Sequence, residues 1–207
     1  MEQSDNYTEI LSRSEGLYKE KGSKFIAIAF PVHSEEEVKQ RLIAIKKEFY
    51  DARHHCYAYI LNPDKSVSKS NDDGEPSGTA GKPILNQLLS KNVTNACVVV
   101  VRYFGGVKLG VSGLITAYKT ASKEALDTAI LIQHTVNEVF ALEFNYPLLN
   151  EVMRLIKDEN LEIQKQKFEI SCHLEIFIRK NDSEKISNKF KNMYGVTVTH
   201  VENANSE

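Results

Sequence analysis

The sequence predicts an α+β protein of two domains, an α/β unit over residues 1–134 followed by a βαββαβ unit over residues 138–203. Three observations carry that expectation. Cys97-Val98-Val99-Val100-Val101 is an unbroken, mostly β-branched run, the pattern of a central strand covered on both faces. It runs into a glycine-rich loop and then a helical stripe of Leu114, Tyr118, Ala121, Ala125 and Ala129. From Val136 the periodicity changes to strand, helix, strand, strand, helix, strand within one small-domain length. At 207 residues, two modest domains each bury a sufficient core.

In chain order, Tyr18 to Val32 reads as strand. Ser34 followed by Glu37 reads as a capping box opening a helix that places Val38, Leu42, Ile45 and Phe49 on one face. Cys56 to Leu61 is the next strand, and a helix around Ile84 to Leu89 precedes the central strand. The second loop delivers the chain to a helix opened by Ser112 or Gly113. Residues 131–137 read as the linker. Beyond it, Phe140, Leu142 and Phe144 alternate, Pro147 suits a first helical position, and Leu149, Val152, Met153 and Ile156 form an apolar helical face. Phe168, Ile170, Cys172, Leu174, Ile176 and Ile178 alternate without a break and predict one half-buried strand. Ser183, Ile186, Phe190, Met193 and Gly195 outline a capped helix before a last strand, Val196 to Val201, and Asn203 to Glu207 read as frayed.

Composition narrows the setting. Cys56, Cys97 and Cys172 each lie in an apolar strand pattern with no C-x-x-C pair, so they read as reduced core residues. With no signal peptide or long apolar segment, a soluble cytoplasmic protein is expected, with no membrane partner. The net charge of −2 argues against a generally basic nucleic-acid binder. Residues 1–134 carry 17 basic and 16 acidic side chains and residues 135–207 carry 9 and 12, giving +1 and −3, so any RNA contact must come from a local patch. Sequence-specific DNA binding is not expected.

Chemistry is expected at two loops. Arg102-Tyr103-Phe104-Gly105-Gly106-Val107-Lys108-Leu109-Gly110-Val111-Ser112-Gly113 places four glycines and two cations between a central strand and a helix start, where backbone N–H groups and the helix dipole suit an anion. Its spacing does not match G-x-G-x-x-G, and Gly81-Lys82 lacks the other Walker residues, because Pro76 and Pro83 stand where a glycine and a Ser/Thr belong. The bland reading is a turn that lets strand and helix pack closely. Asn71-Asp72-Asp73-Gly74-Glu75-Pro76-Ser77-Gly78-Thr79-Ala80-Gly81-Lys82-Pro83 is the other loop, with three carboxylates and two hydroxyls. Seven of the ten glycines lie between Gly74 and Gly113, which suggests one shared surface or, more plainly, two independent connections.

Arg102 to Gly110 together with Gly74-Glu75-Pro76-Ser77-Gly78-Thr79-Ala80-Gly81 resembles the paired signature of the YigZ/IMPACT family. Lys21-Gly22-Ser23-Lys24-Phe25 and Asp51-Ala52-Arg53-His54-His55-Cys56-Tyr57-Ala58-Tyr59 are similar to further pieces of it. The resemblance covers most of the first 130 residues and, more weakly, the remainder. It implies an N-terminal domain like the second domain of ribosomal protein S5 and a ferredoxin-like C-terminal domain similar to the last domain of elongation factor G. It also implies a role near translation: eukaryotic members regulate a kinase that acts on an initiation factor, and bacterial members are suspected of binding nucleic acid or ribosomes. The chain begins almost directly at the family domain, a departure from the eukaryotic pattern that leaves open whether kinase regulation carries over. No settled reaction, metal or cofactor comes with the resemblance, and fold analogy alone supplies no function.

The candidate ligand-binding residues are Arg53, His54, Glu75, Ser77, Gly78, Thr79, Gly81, Lys82, Arg102, Tyr103, Gly105, Gly106, Lys108 and Gly110, with no metal site and no cofactor expected. Each has a structural alternative. Arg102 could pair with Asp72, Asp73 or Glu75, His54 could hydrogen-bond a neighbouring loop, and Tyr57 and Tyr59 could be core rather than a platform for bases. The first function class is a translation-associated regulatory protein that binds RNA, the ribosome or a translation-factor partner through the glycine loops. The second is a metal-assisted enzyme using Asp72, Asp73 or Glu75 with Ser77, Thr79 or Lys108 on a phosphorylated small molecule. The third is a protein-interaction module presenting the sheet face of Glu169, Ser171, His173, Glu175, Phe177 and Arg179.

Overall fold

The computed structural model describes residues 5–201, which divide into two compact units. One is contiguous, Tyr7–His134; the other joins residues 135–201 to Asp5 and Asn6. The predicted frayed end, Asn203 to Glu207, lies outside the described residues.

The first unit is a five-stranded antiparallel sheet between two layers of helix. Its strands are β2 (Ser14–Glu20), β3 (Ser23–Pro31), β4 (His54–Leu61), β5 (Val67–Asn71) and β6 (Ala96–Tyr103), in the order β2-β3-β6-β4-β5. Helix α1 (Glu35–Glu48) lies on one face, and α2 (Gly81–Lys91) and α3 (Gly110–Thr128) on the other. β6 is central, and Ala96 to Arg102 are all buried. Its alternate side chains explain the unbroken run: Ala96, Val98 and Val100 pack toward α2 and α3, while Cys97, Val99 and Val101 pack toward α1.

The Ser34 cap is present, its Oγ accepting from the Glu37 N–H at 3.1 Å. Glu37 reaches back one residue further than a capping box requires, accepting from the His33 N–H at 2.7 Å. Tyr18 to Val32 is not one strand but parts of two, because Lys21 (φ 46°) and Gly22 (φ 78°) form a tight turn between β2 and β3. The segment 131–137 is not a plain linker either. Leu131–Thr135 is strand β7, paired with β1 (Asn6–Ile10), and β8 begins at Asn137. Tyr57 and Tyr59 stack in parallel, 6.4 Å apart, within the cluster under α1, so no open platform for bases forms there.

The second unit is ferredoxin-like. Strands β8 (Asn137–Asn145), β9 (Glu162–Lys167), β10 (Ser171–Arg179) and β11 (Val196–Val201) form the antiparallel order β11-β8-β10-β9, with α4 (Leu149–Asp158) and α5 (Ser183–Lys191) supplying the helices. Phe140, Leu142, Phe144, Cys172, Leu174, Ile176 and Ile178 fill its core with Val152, Ile156, Ile186 and Phe190. Pro147 sits in a short 3-10 turn just before α4. The alternation that begins at Phe168 outruns the strand: Phe168 and Ile170 precede β10 and are exposed, Ile170 at 90 %. On the other face of β10, Glu175 is bridged by Lys165 at 3.0 Å and Arg179 grips Asp5 at 2.8 and 2.9 Å.

Candidate functional site

The two loops meet different fates. The first folds around Asp72. Its Oδ1 accepts from the N–H groups of Ala80 (2.9 Å) and Gly81 (2.8 Å), and its Oδ2 from Gly78 (2.9 Å). The start of α2, where the dipole and free N–H groups favour an anion, is thus filled by the chain's own carboxylate. Burial works to raise the pKa of Asp72, but the three donors outweigh it and hold the group below its ordinary value. Asp73 is engaged separately, accepting from the His55 N–H at 2.7 Å and lying 3.5 Å from Lys46. His54 Nδ1 lies 2.9 Å from the Asp73 carbonyl, which explains that histidine as a clamp on the turn. Gly81 is required because a Cβ there would lie 2.7 Å from the Asn71 nitrogen.

Glu75 and Arg102 form the buried centre of this end of the sheet. Arg102 Nη1 donates to Glu75 Oε1 at 2.6 Å, with the two side chains only 8 % and 4 % exposed. Tyr118 of α3 donates to the same oxygen at 2.8 Å, and the Cys56 thiol reaches Tyr118 at 3.3 Å. Desolvation raises both the Tyr118 hydroxyl and the Cys56 thiol, the latter to about 12. The guanidinium lies over two rings, 5.4 Å from the centroid of Phe25 and 5.6 Å from that of Phe104. Its Nε is buried without a hydrogen-bond partner. Of the three carboxylates the sequence offered to Arg102, the fold selects Glu75.

Asp72, Asp73 and Glu75 therefore each hold protein donors rather than converging on one point, and no group of three potential ligands is placed to hold a metal among the described residues. Thr79 is buried, its hydroxyl donating to the Pro76 carbonyl, while Ser77 and Lys82 are exposed. Tyr103 projects to the α1 face, away from Arg102, and donates to Asp51 at 2.7 Å. That bond and burial push its hydroxyl up to about 12. Arg53 is exposed ahead of β4.

The second loop stays open. Gly105 is the exception, because its backbone packs on the β2–β3 turn: a Cβ would lie 1.9 Å from the Gly22 carbonyl carbon. Gly106 (φ 87°) and Gly110 (φ 73°) adopt conformations that favour glycine and face open space. α3 starts at Gly110 rather than Ser112 or Gly113, with no side chain capping it and no acidic residue in its first turn. Phe104, Val107 and Val111 are each more than half exposed, and Lys108 is exposed as well. Beside that first turn, a depression of about 250 Å³ is lined by Tyr18, Glu20, Leu109, Ser112 and Thr116.

The sequence held a signal that motif matching passes over. Between Glu75 and Glu124 there is no acidic residue, while Lys82, Lys91, Arg102, Lys108, Lys119 and Lys123 fall inside. The fold turns this run into a surface. β5 and β6 both run antiparallel to β4, so α2 and α3 start at the same end of the sheet. At their far ends Lys91 and Lys123 share Asp127, leaving Lys82, Lys108 and Lys119 without an ion pair among the described residues. Lys82 lies in the first turn of α2, Lys108 just ahead of α3 and Lys119 midway along it, while Glu20 of β2 lines the depression beside the α3 start.

Comparison with known proteins agrees with the loops. The Impact N-terminal domain matches residues 21–126, just over half the chain. The chain belongs to the IMPACT family. An IMPACT family member from Haemophilus influenzae is 34 % identical over 187 residues, covering 87 % of this chain and 89 % of that protein. A crystal structure described only as that of a hypothetical protein is 28 % identical with a TM-score of 0.69, covering 97 % of this chain and all of that one. The two-domain translational regulator Yih1 is 26 % identical, covering 62 % of this chain and 52 % of that one, with a TM-score of 0.39. The signature of this IMPACT-family chain thus divides between a folded polar core, Glu75 with Arg102, and an exposed rim, Phe104 to Gly110.

Proposed function

We propose that this chain is a cytoplasmic, translation-associated regulatory protein whose first unit engages RNA, most directly on the ribosome, through the loop Phe104 to Leu109 and the first turn of α3. Family membership supports the setting, since the resemblance implies folds and roles of the translation apparatus. The observation that carries the site is the contrast between two helix starts: Asp72 closes α2, whereas α3 is uncapped, flanked by Lys108, and set in an acid-free stretch. The overall charge of −2 is no obstacle, because Lys82 and Lys108 stand at the two helix starts that share one end of the sheet. Arg102, which the sequence offered as a phosphate contact, supports the loop from inside through Glu75.

The test is co-sedimentation of the whole protein with ribosomes across a salt series, comparing wild type with Lys108→Ala. Lys108 is exposed, so its removal leaves the core untouched. Binding should weaken with salt, and the variant should lower the log–log slope by roughly 0.7 to 0.9 for one lost phosphate contact. Identical binding and slope would remove Lys108 from the interface, and no ribosome binding at any salt would overturn the reading.

A further inference from the structure

We infer that Phe104 is a stacking platform for a nucleobase of single-stranded RNA, with the adjacent Lys108 and α3 start taking the neighbouring phosphates. The inference rests on the RNA reading above and adds to it the form of the nucleic acid and the side chain that grips it.

The geometry is that of a ring held from behind. The Arg102 guanidinium lies 5.6 Å from the Phe104 centroid and 5.4 Å from that of the buried Phe25. Arg102 is 7 % exposed and tied to Glu75, so this backing is fixed by the core. Phe104 is 57 % exposed, which leaves the ring open to solvent away from the guanidinium. A cation on one side of an aromatic ring draws π density toward itself, which favours an electron-rich base on the free side. Gly105 and Gly106 follow, so no Cβ from the next two residues crowds the approach.

The occupant's charge follows from the surroundings. No acidic residue stands in the sequence between Glu75 and Glu124, Lys82, Lys108 and Lys119 carry no ion pair among the described residues, and the acid that β2 brings beside the α3 start, Glu20, accepts from the Tyr18 hydroxyl. An aromatic face beside unpaired cations suits a strand whose bases are unstacked and whose backbone is anionic. Duplex RNA fits less well, because its bases are already stacked on each other. An acidic protein segment is the competing occupant, since Val107 and Val111 are exposed nearby.

Fluorescence anisotropy of the whole protein with a labelled, mixed-sequence single-stranded RNA of about 12 nucleotides tests this. Phe104→Ala and Phe104→Leu should both weaken binding about 5- to 150-fold, with the salt slope unchanged, and Phe104→Trp should retain it. The leucine variant keeps a buried-size apolar group against Arg102, so equal loss in both variants reports the ring rather than local unfolding. Duplex RNA of the same length should bind more weakly and ignore Phe104. If Phe104→Ala binds within twofold of wild type while Lys108→Ala still weakens ribosome binding, the platform is wrong and the RNA reading stands. Binding of neither oligonucleotide nor ribosomes would overturn both. Polyglutamate binding at least as tightly as the single strand would replace RNA with an acidic protein segment.

Discussion

Replacing Arg102 with alanine removes the partner of a carboxylate whose side chain is 4 % exposed. Among the described residues Glu75 would keep only the Tyr118 hydroxyl, at 2.8 Å, as a side-chain partner, and the space above Phe25 would empty. Leaving one member of a buried pair unpaired costs about 3–5 kcal/mol. With a urea slope of about 1–3 kcal/mol/M for a domain of this size, the unfolding midpoint should fall by more than about 1 M. Arg102→Met/Glu75→Gln removes both charges while keeping an acceptor for Tyr118, so its cost should be clearly less than the sum of Arg102→Met and Glu75→Gln measured singly. Urea unfolding followed by circular dichroism, with matched slopes, compares the four variants with wild type. A loss under about 1 kcal/mol for Arg102→Ala, or strict additivity of the singles, would refute the view that this pair is a structural core and return Arg102 to the binding surface.

Asp72→Asn should cost about 1–3 kcal/mol, because an amide cannot accept all three loop N–H groups. Since the folded pKa of Asp72 lies below its ordinary value, its contribution is present above the unfolded pKa and is lost as pH falls through the folded one; unfolding free energies measured from pH 6 down to acid should fall more steeply in wild type than in Asp72→Asn. Gly105→Ala drives a Cβ into the Gly22 and Ser23 backbone and should cost more than about 3 kcal/mol, whereas Gly106→Ala meets nothing and bears only the strain of φ 87°, about 1–2 kcal/mol; thermal unfolding separates the two. The three buried thiols, with Cys56 pushed up to about 12, should be silent to a thiol reagent in native protein at pH 8 and all titrate once it is unfolded.

Much of the fold was legible because periodicity and caps are local. The Val98 to Val101 run announced a strand with helices on both faces, Ser34 announced α1, and the alternation of Phe140, Leu142 and Phe144 announced β8. What escaped was set by tertiary context. Val67-Ser68-Lys69-Ser70-Asn71 has almost no apolar residue and becomes strand only as an edge beside β4. Phe168 and Ile170 keep the alternation going in a turn where nothing covers them. At the site, glycine spacing could not separate a loop that folds on its own carboxylate from one that stays open. Asp72 lies six to nine residues from the N–H groups it satisfies, and only the closed turn at Asp73 and Gly74 brings them together. The charge clue was an absence, the missing acids from Pro76 to Lys123, and motif searches look for what is present.

Asp5 and Asn6 belong with residues 135–201, so the contiguous first unit is, in chain topology, an insertion between Asn6 and Thr135 of the second. Two crossings join the units, and a single cut after His134 leaves residues 7–134 tied to the second unit only through the docked Asp5 and Asn6. The order of synthesis is constrained too. The partners of β1 residues Tyr7–Ile10 lie within the first unit, but Asp5 waits for Arg179, made 174 residues later, before its two hydrogen bonds can form. Asp5 is thus among the last of the described residues to find its place.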